Sequence, residues 1–245
     1  MKLFLIRHAQ SANNLLAEQA QMDDYLARRS PEPTITELGF RQAQLTADHL
    51  ASFATAVPGE GRGGDSHGYA FTKLFVSPML RTLQTALPIS KALNLQPEVW
   101  IDIHEHGGIF HGNPQKGNVV NYPGLTRQEI LTQYVGYQLP KEISDTGWWY
   151  GGYEEMEGCY ARAARVAARL RDWAPDLVDD RIAMVSHGTF LDALIKALLG
   201  HDFAAQMYYT HYNTAITRLD FTPKGFLLMR YLNRTEHLTP DLISR

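Results

Sequence analysis

The apolar run Leu3-Phe4-Leu5-Ile6 is followed directly by Arg7 and His8. Four successive apolar residues are typical of a strand that is buried on both faces, as in a parallel sheet. A cation and an imidazole resist burial, so the end of this strand needs a physical reason. Either the strand reaches the surface there, or it delivers two reactive side chains to a site.

Similar apolar segments recur along the chain and alternate with helical patterns. Strands are predicted at 73–77, 98–103 and 181–186, with a closing hairpin of 215–221 and 226–232. Helices are predicted within 11–29, with Pro31 and Pro33 after it, and over 37–53, 78–93, 155–173 and 189–199. Thr36 is the expected N-cap of the second helix, and Pro88 is expected to kink or interrupt the third. This alternation predicts an α/β layer architecture with a mainly parallel sheet.

Two segments depart from that alternation. Residues 57–69 are rich in glycine and polar residues, which predicts a flexible surface loop, and they lack the Gly-Lys-Ser/Thr of a P-loop. From about 107 to 154 the sequence is irregular, with one short helix expected near 126–134. A long irregular stretch inside a compact domain is typical of a lid or insertion. We therefore expect one domain, 1–245, that carries a cap over 107–154.

Composition excludes several classes of protein. The net charge of −3 argues against a basic surface for nucleic acid, and no run approaches the ~20 apolar residues that span a bilayer. The apolar start is too short for a secretion signal. The single cysteine, Cys159, can form no intrachain disulfide. We expect a cytoplasmic protein with neither a nucleic-acid partner nor a membrane partner.

Chemically active residues follow four of the predicted strands. Arg7 and His8 follow the first, Arg81 lies in the helical turn after the second, and Glu105 and His187 follow the next two. Ligands of open α/β sheets bind beyond the carboxyl ends of the strands, so these side chains are expected to converge. Arginine forks bind phosphoryl oxygens, a neutral imidazole can accept a phosphoryl group, and a carboxylic acid can protonate the leaving oxygen. The set supports phosphoryl transfer without a metal or cofactor.

Four short motifs give this set a family resemblance. RHAQSANN (7–14), SPMLRTLQTA (77–86), HEHGGIFHG (104–112) and VSHGTF (185–190) resemble, in chain order, the signatures of the histidine phosphatase superfamily, the phosphoglycerate mutase-like group of branch 1. The resemblance implies a three-layer α/β/α sandwich. It also allows a homo-oligomer, because family members occur as monomers, dimers and tetramers.

The resemblance implies a role for each matching position. His8 would be the nucleophile that forms a phosphohistidine, and Glu105 would be the proton donor. Arg7, Arg81 and His187 would clamp the phosphoryl oxygens. Asn14 would add a hydrogen bond, and Gly188 would lie in the phosphate site. The substrate would be a small phosphorylated molecule.

Other readings of these residues stay open. His104, His106 and His111 could be considered for a zinc site, but no distant carboxylate or cysteine motif completes a ligand set. Arg162, Arg165 and Arg169 share a helical face, which we interpret as a solvated surface. The aromatic segment Trp148-Trp149-Tyr150 is expected to pack the cap onto the domain, and it could also line a substrate pocket.

Three functions fit this resemblance. A phosphomonoesterase is preferred over a mutase primed by 2,3-bisphosphoglycerate, because residues 108–152 hold only three cations, Lys116, Arg127 and Lys141. Near Glu105 the sequence also lacks the Arg and Tyr of the glycolytic mutases. The third candidate is a catalytically weak module that binds phosphorylated ligands. Its one supporting feature is Ala9, which stands where the family usually has glycine and would be strained if that position needs a positive φ.

Overall fold

A computed structural model describes residues 1–53 and 68–245. Most of the predicted Gly-rich loop, 57–67, lies outside the described residues. The strands are β1 (Lys2–Arg7), β2 (Lys73–Val76), β3 (Pro97–Val99), β4 (Phe110–His111), β5 (Val120–Asn121), β6 (Arg181–Ser186), β7 (Ile216–Phe221) and β8 (Leu227–Arg234). The helices are α1 (Ala12–Gln19), α2 (Met22–Arg28), α3 (Glu37–Ser52), α4 (Leu80–Leu93), α5 (Arg127–Gln133), α6 (Met156–Trp173) and α7 (Gly188–Leu199).

Six strands form the central sheet, in the order β3-β2-β6-β1-β7-β8. The first four of these run parallel, whereas β7 is antiparallel to β1 and β8 is antiparallel to β7. The mainly parallel α/β sheet and the closing hairpin are therefore confirmed. In the order of the sheet, β1 lies between β6 and β7, which explains its continuous apolar sequence.

Helices cover both faces of the sheet. Leu3 and Leu5 of β1 belong to a core cluster with residues of α6 and α7. Phe4 and Ile6, whose side chains alternate with the first pair, belong to a second cluster with residues of α3 and α4. The three-layer sandwich that the resemblance implies is thus present. None of the helices in residues 1–53 and 68–245 is both long and apolar enough to cross a bilayer.

Local boundaries differ from the prediction at three places. The third strand ends at Val99, and Ile101–Ile103 form a 3₁₀ turn rather than its continuation. The helical region at 11–29 is divided into α1 and α2, because Ala20 takes an extended backbone conformation. Pro88 lies inside α4, which runs through it without interruption. The predicted N-cap is confirmed, since the hydroxyl of Thr36 accepts the N–H of Gly39 at 3.0 Å.

The irregular segment at 107–154 contains the small β4–β5 hairpin and α5. Most of its buried apolar side chains belong to the same core cluster as α3 and α4, among them Trp148, which is 4% exposed, as the packing interpretation predicts. The backbone of Gly108 has φ +71° and lies against Trp149, so that an added Cβ would meet the indole at 2.2 Å. A glycine here therefore allows the indole to pack directly onto the chain beside Glu105.

Candidate active site

The ends of three parallel strands meet at one edge of the sheet. Arg7 pairs with Ser186 in the register between β1 and β6, and Val76 pairs with Val185 between β2 and β6. The residues that follow these strands are His8, Ser77 and His187, so they lie side by side. The predicted convergence is found at this edge.

His8 is 3% exposed and is held through its backbone and its ring. Its N–H donates to the carbonyl of Ser186 at 2.9 Å, and its carbonyl accepts the side-chain amide of Asn213 at 3.0 Å. Nδ1 lies 2.7 Å from the carbonyl oxygen of Ala9, which can only accept, so Nδ1 carries the proton. Nε2 then holds a lone pair, and Nε of Arg81 donates to it at 3.2 Å.

The surroundings of His8 keep its imidazole neutral. Burial lowers the pKa of His8 well below its ordinary value, and the charges of Arg81 and Arg7 lower it further. The hydrogen bond to Ala9 acts in the opposite direction but does not outweigh these effects. A neutral imidazole with its lone pair on Nε2 is the form that acts as a nucleophile.

The backbone of Ala9 does not have the positive φ that would strain an alanine at this position, where the family usually has glycine. The described non-glycine residues with positive φ are Ala70, Asn94, Thr214 and Asn233. The methyl group of Ala9 is fully buried in a small cluster with Ile35 and Ala43.

Arg81 lies in the first turn of α4 and is 9% exposed. Burial lowers its pKa, while the negative charges of Glu32 and Glu105 oppose that effect. Glu32 accepts the backbone N–H of Leu80 at 2.8 Å, and burial raises the pKa of Glu32 to about 7. Arg81 is thus a buried cation, and the carboxyl group of Glu32, whose charge offsets it most, is itself costly to ionise.

His187 follows β6 and is fully buried. Its ring centroid lies 5.2 Å from that of His8, and its Nε2 is 2.8 Å from the hydroxyl oxygen of Ser77. Burial lowers the pKa of His187 well below its ordinary value, and the charge of Arg81 adds to this effect. Its Nδ1 is buried and has no hydrogen-bond partner among the described residues.

Arg7 and Gly188 lie against each other at the start of α7. A Cβ added to Gly188 would be 3.4 Å from Nε of Arg7, and Nη1 of Arg7 donates to the carbonyl of His211 at 2.6 Å. Burial lowers the pKa of Arg7, and the charge of Glu105 opposes this. The Nε of Arg7 is buried without a partner among residues 1–53 and 68–245. Such donors are available for an anion.

Glu105 is seated at the N-terminus of α7. Its carboxylate accepts the backbone N–H groups of Thr189 at 3.2 Å, Phe190 at 3.0 Å and His106 at 2.9 Å. Helix N-termini present free N–H groups and a partial positive charge, which hold a carboxylate in place. The third predicted strand therefore delivers Glu105 to the same edge, although through a turn rather than through a longer strand.

Asn14 is connected to His8 through Asn213. Its Oδ1 accepts the N–H of Ser11 at 3.1 Å in the capping box of α1, and it lies 3.4 Å from the amide nitrogen of Asn213. Asn213 in turn holds the carbonyl of His8. The structure therefore places Asn14 beside the site.

The prediction of a solvated arginine face is wrong for Arg162. This side chain is 3% exposed, and its Nε and Nη2 bind the two carboxylate oxygens of Glu154 at 2.8 and 2.5 Å. Its Nη1 donates to the carbonyls of Asp102 and His104, both at 2.8 Å. Burial is tolerated because every donor group has an acceptor, and the result anchors the loop that carries Glu105. Arg165 and Arg169 are exposed.

The histidines considered for zinc have other surroundings. Nδ1 of His104 lies 2.8 Å from the carbonyl of Ile101, and its ring lies 4.7 Å from that of Trp149. Within the described part of the chain, no group of three or more metal-binding side chains comes together.

Two residues near the site were not predicted from the sequence. Glu32 lies between two prolines, a position that indicates a loop and gives no sign of burial beside Arg81. Ser77 lies within a predicted motif, but its contact with His187 depends on strand pairing. Ser77 could have been identified from its position at the end of β2, because β2 pairs with β6, the strand that His187 follows.

Comparisons with known proteins agree with this geometry. The family model for the histidine phosphatase superfamily (branch 1) matches residues 63–234, which is more than half of the chain. A curated relative, phosphoserine phosphatase 1 of Hydrogenobacter thermophilus, is 24% identical over 97% of this chain and 94% of its own length. A PE-PGRS family protein of Mycobacterium tuberculosis is 32% identical over 45% of this chain. That alignment covers only 15% of the length of the mycobacterial protein.

The fold also resembles that of solved structures. The crystal structure of phosphoserine phosphatase from Entamoeba histolytica, in complex with 3-phosphoglyceric acid, aligns with a TM-score of 0.57 and 21% identity. The alignment covers 97% of this chain and 99% of that one. At this identity the likeness establishes a shared fold.

Proposed function

The chain belongs to the histidine phosphatase superfamily (branch 1), and we propose that it is a phosphatase that hydrolyses a small phosphomonoester through a phosphohistidine on His8. The observation that carries the proposal is the state of His8: a buried, neutral imidazole whose Nε2 lone pair faces the guanidinium of Arg81 at 3.2 Å. A nucleophile beside an anion-binding cation is the arrangement that phosphoryl transfer needs.

In the proposed first step, Nε2 of His8 attacks the phosphorus atom and the ester P–O bond breaks. The Nδ1 proton stays on the ring, where the carbonyl of Ala9 stabilises the positive charge that develops. Arg81, Arg7 and His187 bind the non-bridging oxygens. Because Nε of Arg7 and Nδ1 of His187 are held in place without a partner among the described residues, little reorganisation is needed during the reaction.

Glu105 protonates the departing oxygen in this mechanism. In the second step a water molecule attacks the phosphorus, the N–P bond breaks, and the water proton passes to Glu105. Glu105 enters the first step as the carboxylic acid and the second as the carboxylate, and the N-terminus of α7, which begins beside His187, holds its side chain in place for both. Each cycle consumes one water molecule and returns His8 to its neutral form.

We further propose that residues 107–154 act as a cap that selects the substrate. A mutase would need cations in this segment to bind the carboxylate of a phosphoglycerate. Of the three that it contains, Arg127 donates to the backbone carbonyls of Pro140 and Ile143, and Lys116 pairs with Asp23 at the surface. Lys141 is exposed. This favours hydrolysis over a mutase reaction, in which a phosphoglycerate carboxylate must be held.

The test is phosphate release from a panel of phosphomonoesters in excess chelator, with the wild type beside His8→Ala. The matched control is His201→Ala, which alters a histidine after the far end of α7 that contacts the hydroxyl of Tyr209. We expect His8→Ala to lose at least ~10³-fold and His201→Ala to match the wild type. A phosphoryl group on the peptide that contains position 8, trapped by rapid quenching, would be present in the wild type and in His201→Ala and absent from His8→Ala.

Three outcomes would contradict the proposal. Equal phosphate release by wild type and His8→Ala would show that His8 is not the nucleophile. Loss of activity in chelator points to metal chemistry. Efficient interconversion of 3- and 2-phosphoglycerate with a 2,3-bisphosphoglycerate primer, without net phosphate release, indicates the mutase.

A further inference from the structure

The side chain of Arg29 packs against aromatic rings and has no polar partner among the residues that the structure describes. It follows α2, and its guanidinium carbon lies 4.1 Å from the ring centroid of Phe110 and 5.9 Å from that of Tyr25. Among residues 1–53 and 68–245 no carboxylate lies within ion-pair distance of it, and its Nε is buried without a hydrogen bond. Its neighbour Arg28, in contrast, pairs with Asp24 on the surface.

Ring contacts connect this guanidinium to the loop that carries Glu105. Phe110 lies against Gly107, where an added Cβ would be 2.6 Å from the Phe110 ring, and the ring centroid of Tyr153, which packs on Phe110, is 5.7 Å from that of His106. Burial lowers the pKa of Arg29, and the charge of Glu105 is among the effects that oppose it. The positive charge of Arg29 in turn lowers the pKa of Arg81. These charge effects agree with the position beside the Glu105 loop that the ring contacts give Arg29.

The position of Arg29 is held by both chain and ring contacts. The next residue, Ser30, exchanges two hydrogen bonds with the side chain of Asn13, at 2.8 and 2.9 Å, which ties this loop to α1. Phe110 is itself packed edge-on against Tyr153, with ring centroids 4.7 Å apart. The cap thus covers a face of the guanidinium and leaves its N–H donors to bind another group.

A partly buried arginine with unused donors is costly unless an anion completes it. Arg7 and Arg81 suffice for the phosphoryl oxygens in the proposed mechanism. We propose that Arg29 binds a second anionic group on the substrate, so that the enzyme prefers phosphomonoesters whose alcohol portion carries a carboxylate or another phosphate. This inference rests on the proposed phosphatase function and names the substrate class of the same site.

The experiment compares substrates that differ in the second anion. One pair is 3-phosphoglycerate and glycerol 3-phosphate, and the other is fructose 1,6-bisphosphate and fructose 6-phosphate. Wild type, Arg29→Gln and Arg29→Lys are assayed for kcat/KM, with Arg28→Gln as the control on the same segment. We expect Arg29→Gln to lower kcat/KM for the doubly anionic member of at least one pair by about 10- to 100-fold, and for its partner by about threefold or less.

The pair that responds identifies the second anion as a carboxylate or a phosphate. Arg29→Lys is expected to retain part of the preference for the doubly anionic substrate, because lysine keeps the positive charge but lacks the bidentate guanidinium. Arg28→Gln is expected to match the wild type. Equal losses for both members of each pair, or no change in either pair, would overturn the inference.

A binding measurement separates this inference from the proposed function. Calorimetry of 3-phosphoglycerate, fructose 1,6-bisphosphate and their singly anionic partners with His8→Ala, and with His8→Ala plus Arg29→Gln, needs no turnover. Weaker binding of a doubly anionic ligand in the second variant supports the inference even if the wild type releases no phosphate. Identical binding by the two variants overturns it, whatever the activity of the wild type.

Discussion

Nε of Arg81 and Nε2 of His8 lie 3.2 Å apart, although 72 residues separate them along the chain. The arginine N–H donates to the imidazole lone pair, which fixes both side chains before any ligand is present. Burial is the main cause of the low pKa of His8, and the charge of the same arginine lowers it further, so this contact both orients the imidazole and disfavours its protonation. The consequences for neighbouring residues can be tested individually.

Ser77→Ala should reduce turnover without altering the fold. If the hydroxyl of Ser77 donates to Nε2 of His187, the ring proton lies on Nδ1, the buried nitrogen that has no partner among the described residues. We expect kcat/KM to fall about 10-fold, the effect of losing one such hydrogen bond. The control is Ser90→Ala in the last part of α4, where the hydroxyl donates to the carbonyl of Leu95. Wild-type kinetics in Ser77→Ala would contradict this role.

Ala9→Gly should be a structural change rather than a catalytic gain. Ala9 is not among the described residues with positive φ, and its methyl group is buried against Ile35 and Ala43. We expect a loss of about 1 kcal/mol in the free energy of unfolding, with kcat within about threefold of the wild type. Urea denaturation and steady-state assays measure the two effects. A gain in kcat above about tenfold would show instead that alanine limits the reaction.

Arg162→Met should destabilise the protein strongly. The substitution leaves Glu154 as a buried carboxylate without its bidentate partner, a change that costs about 3–5 kcal/mol. It also removes the donors that anchor the carbonyls of Asp102 and His104. Urea denaturation of Arg165→Met, an exposed position on the same helix, should differ from wild type by about 0.5 kcal/mol or less. Similar stabilities of the two variants would refute the anchoring role.

Glu32→Gln should stabilise the protein in a pH-dependent manner. Burial raises the pKa of Glu32 to about 7 from an ordinary 4.5, so between these values the unfolded chain releases a proton that the folded protein retains. Stability is therefore lost as pH rises through this window, by up to about 3 kcal/mol above pH 7. Glutamine cannot ionise and should remove the loss while still accepting the N–H of Leu80.

The measurement is the free energy of unfolding of wild type and Glu32→Gln at about pH 5 and about pH 8. The difference between them should increase with pH, whereas the exposed control Glu142→Gln should show a constant difference. A difference that shrinks with rising pH would mean that the charge of Glu32 stabilises the fold through Arg81.

The sequence was sufficient to predict the sheet and the residues at its edge. Apolar runs such as 3–6 and 182–185 indicate buried strands, and reactive residues follow them directly. Because parallel strands share an edge for their carboxyl ends, His8 and His187 could be placed together without knowledge of their contacts.

Buried charges could not be predicted in this way. Arg162 has the spacing of a solvated helix face, and its burial follows from carbonyls of a loop 60 residues earlier. Arg29 and Glu32 lie in a segment whose direction is set by Asn13 and Leu80. Such environments depend on long-range packing, which local composition does not report.

The pairing of β1 has a consequence for how the molecule comes into being. Both strands that flank β1, 181–186 and 216–221, follow His8 in the chain, and so does Asn213, whose side-chain amide binds the carbonyl of His8. Such long-range pairing slows folding. The proposed nucleophile is therefore translated before the residues that position it, and a chain that ends before Asn213 cannot assemble the proposed phosphate site.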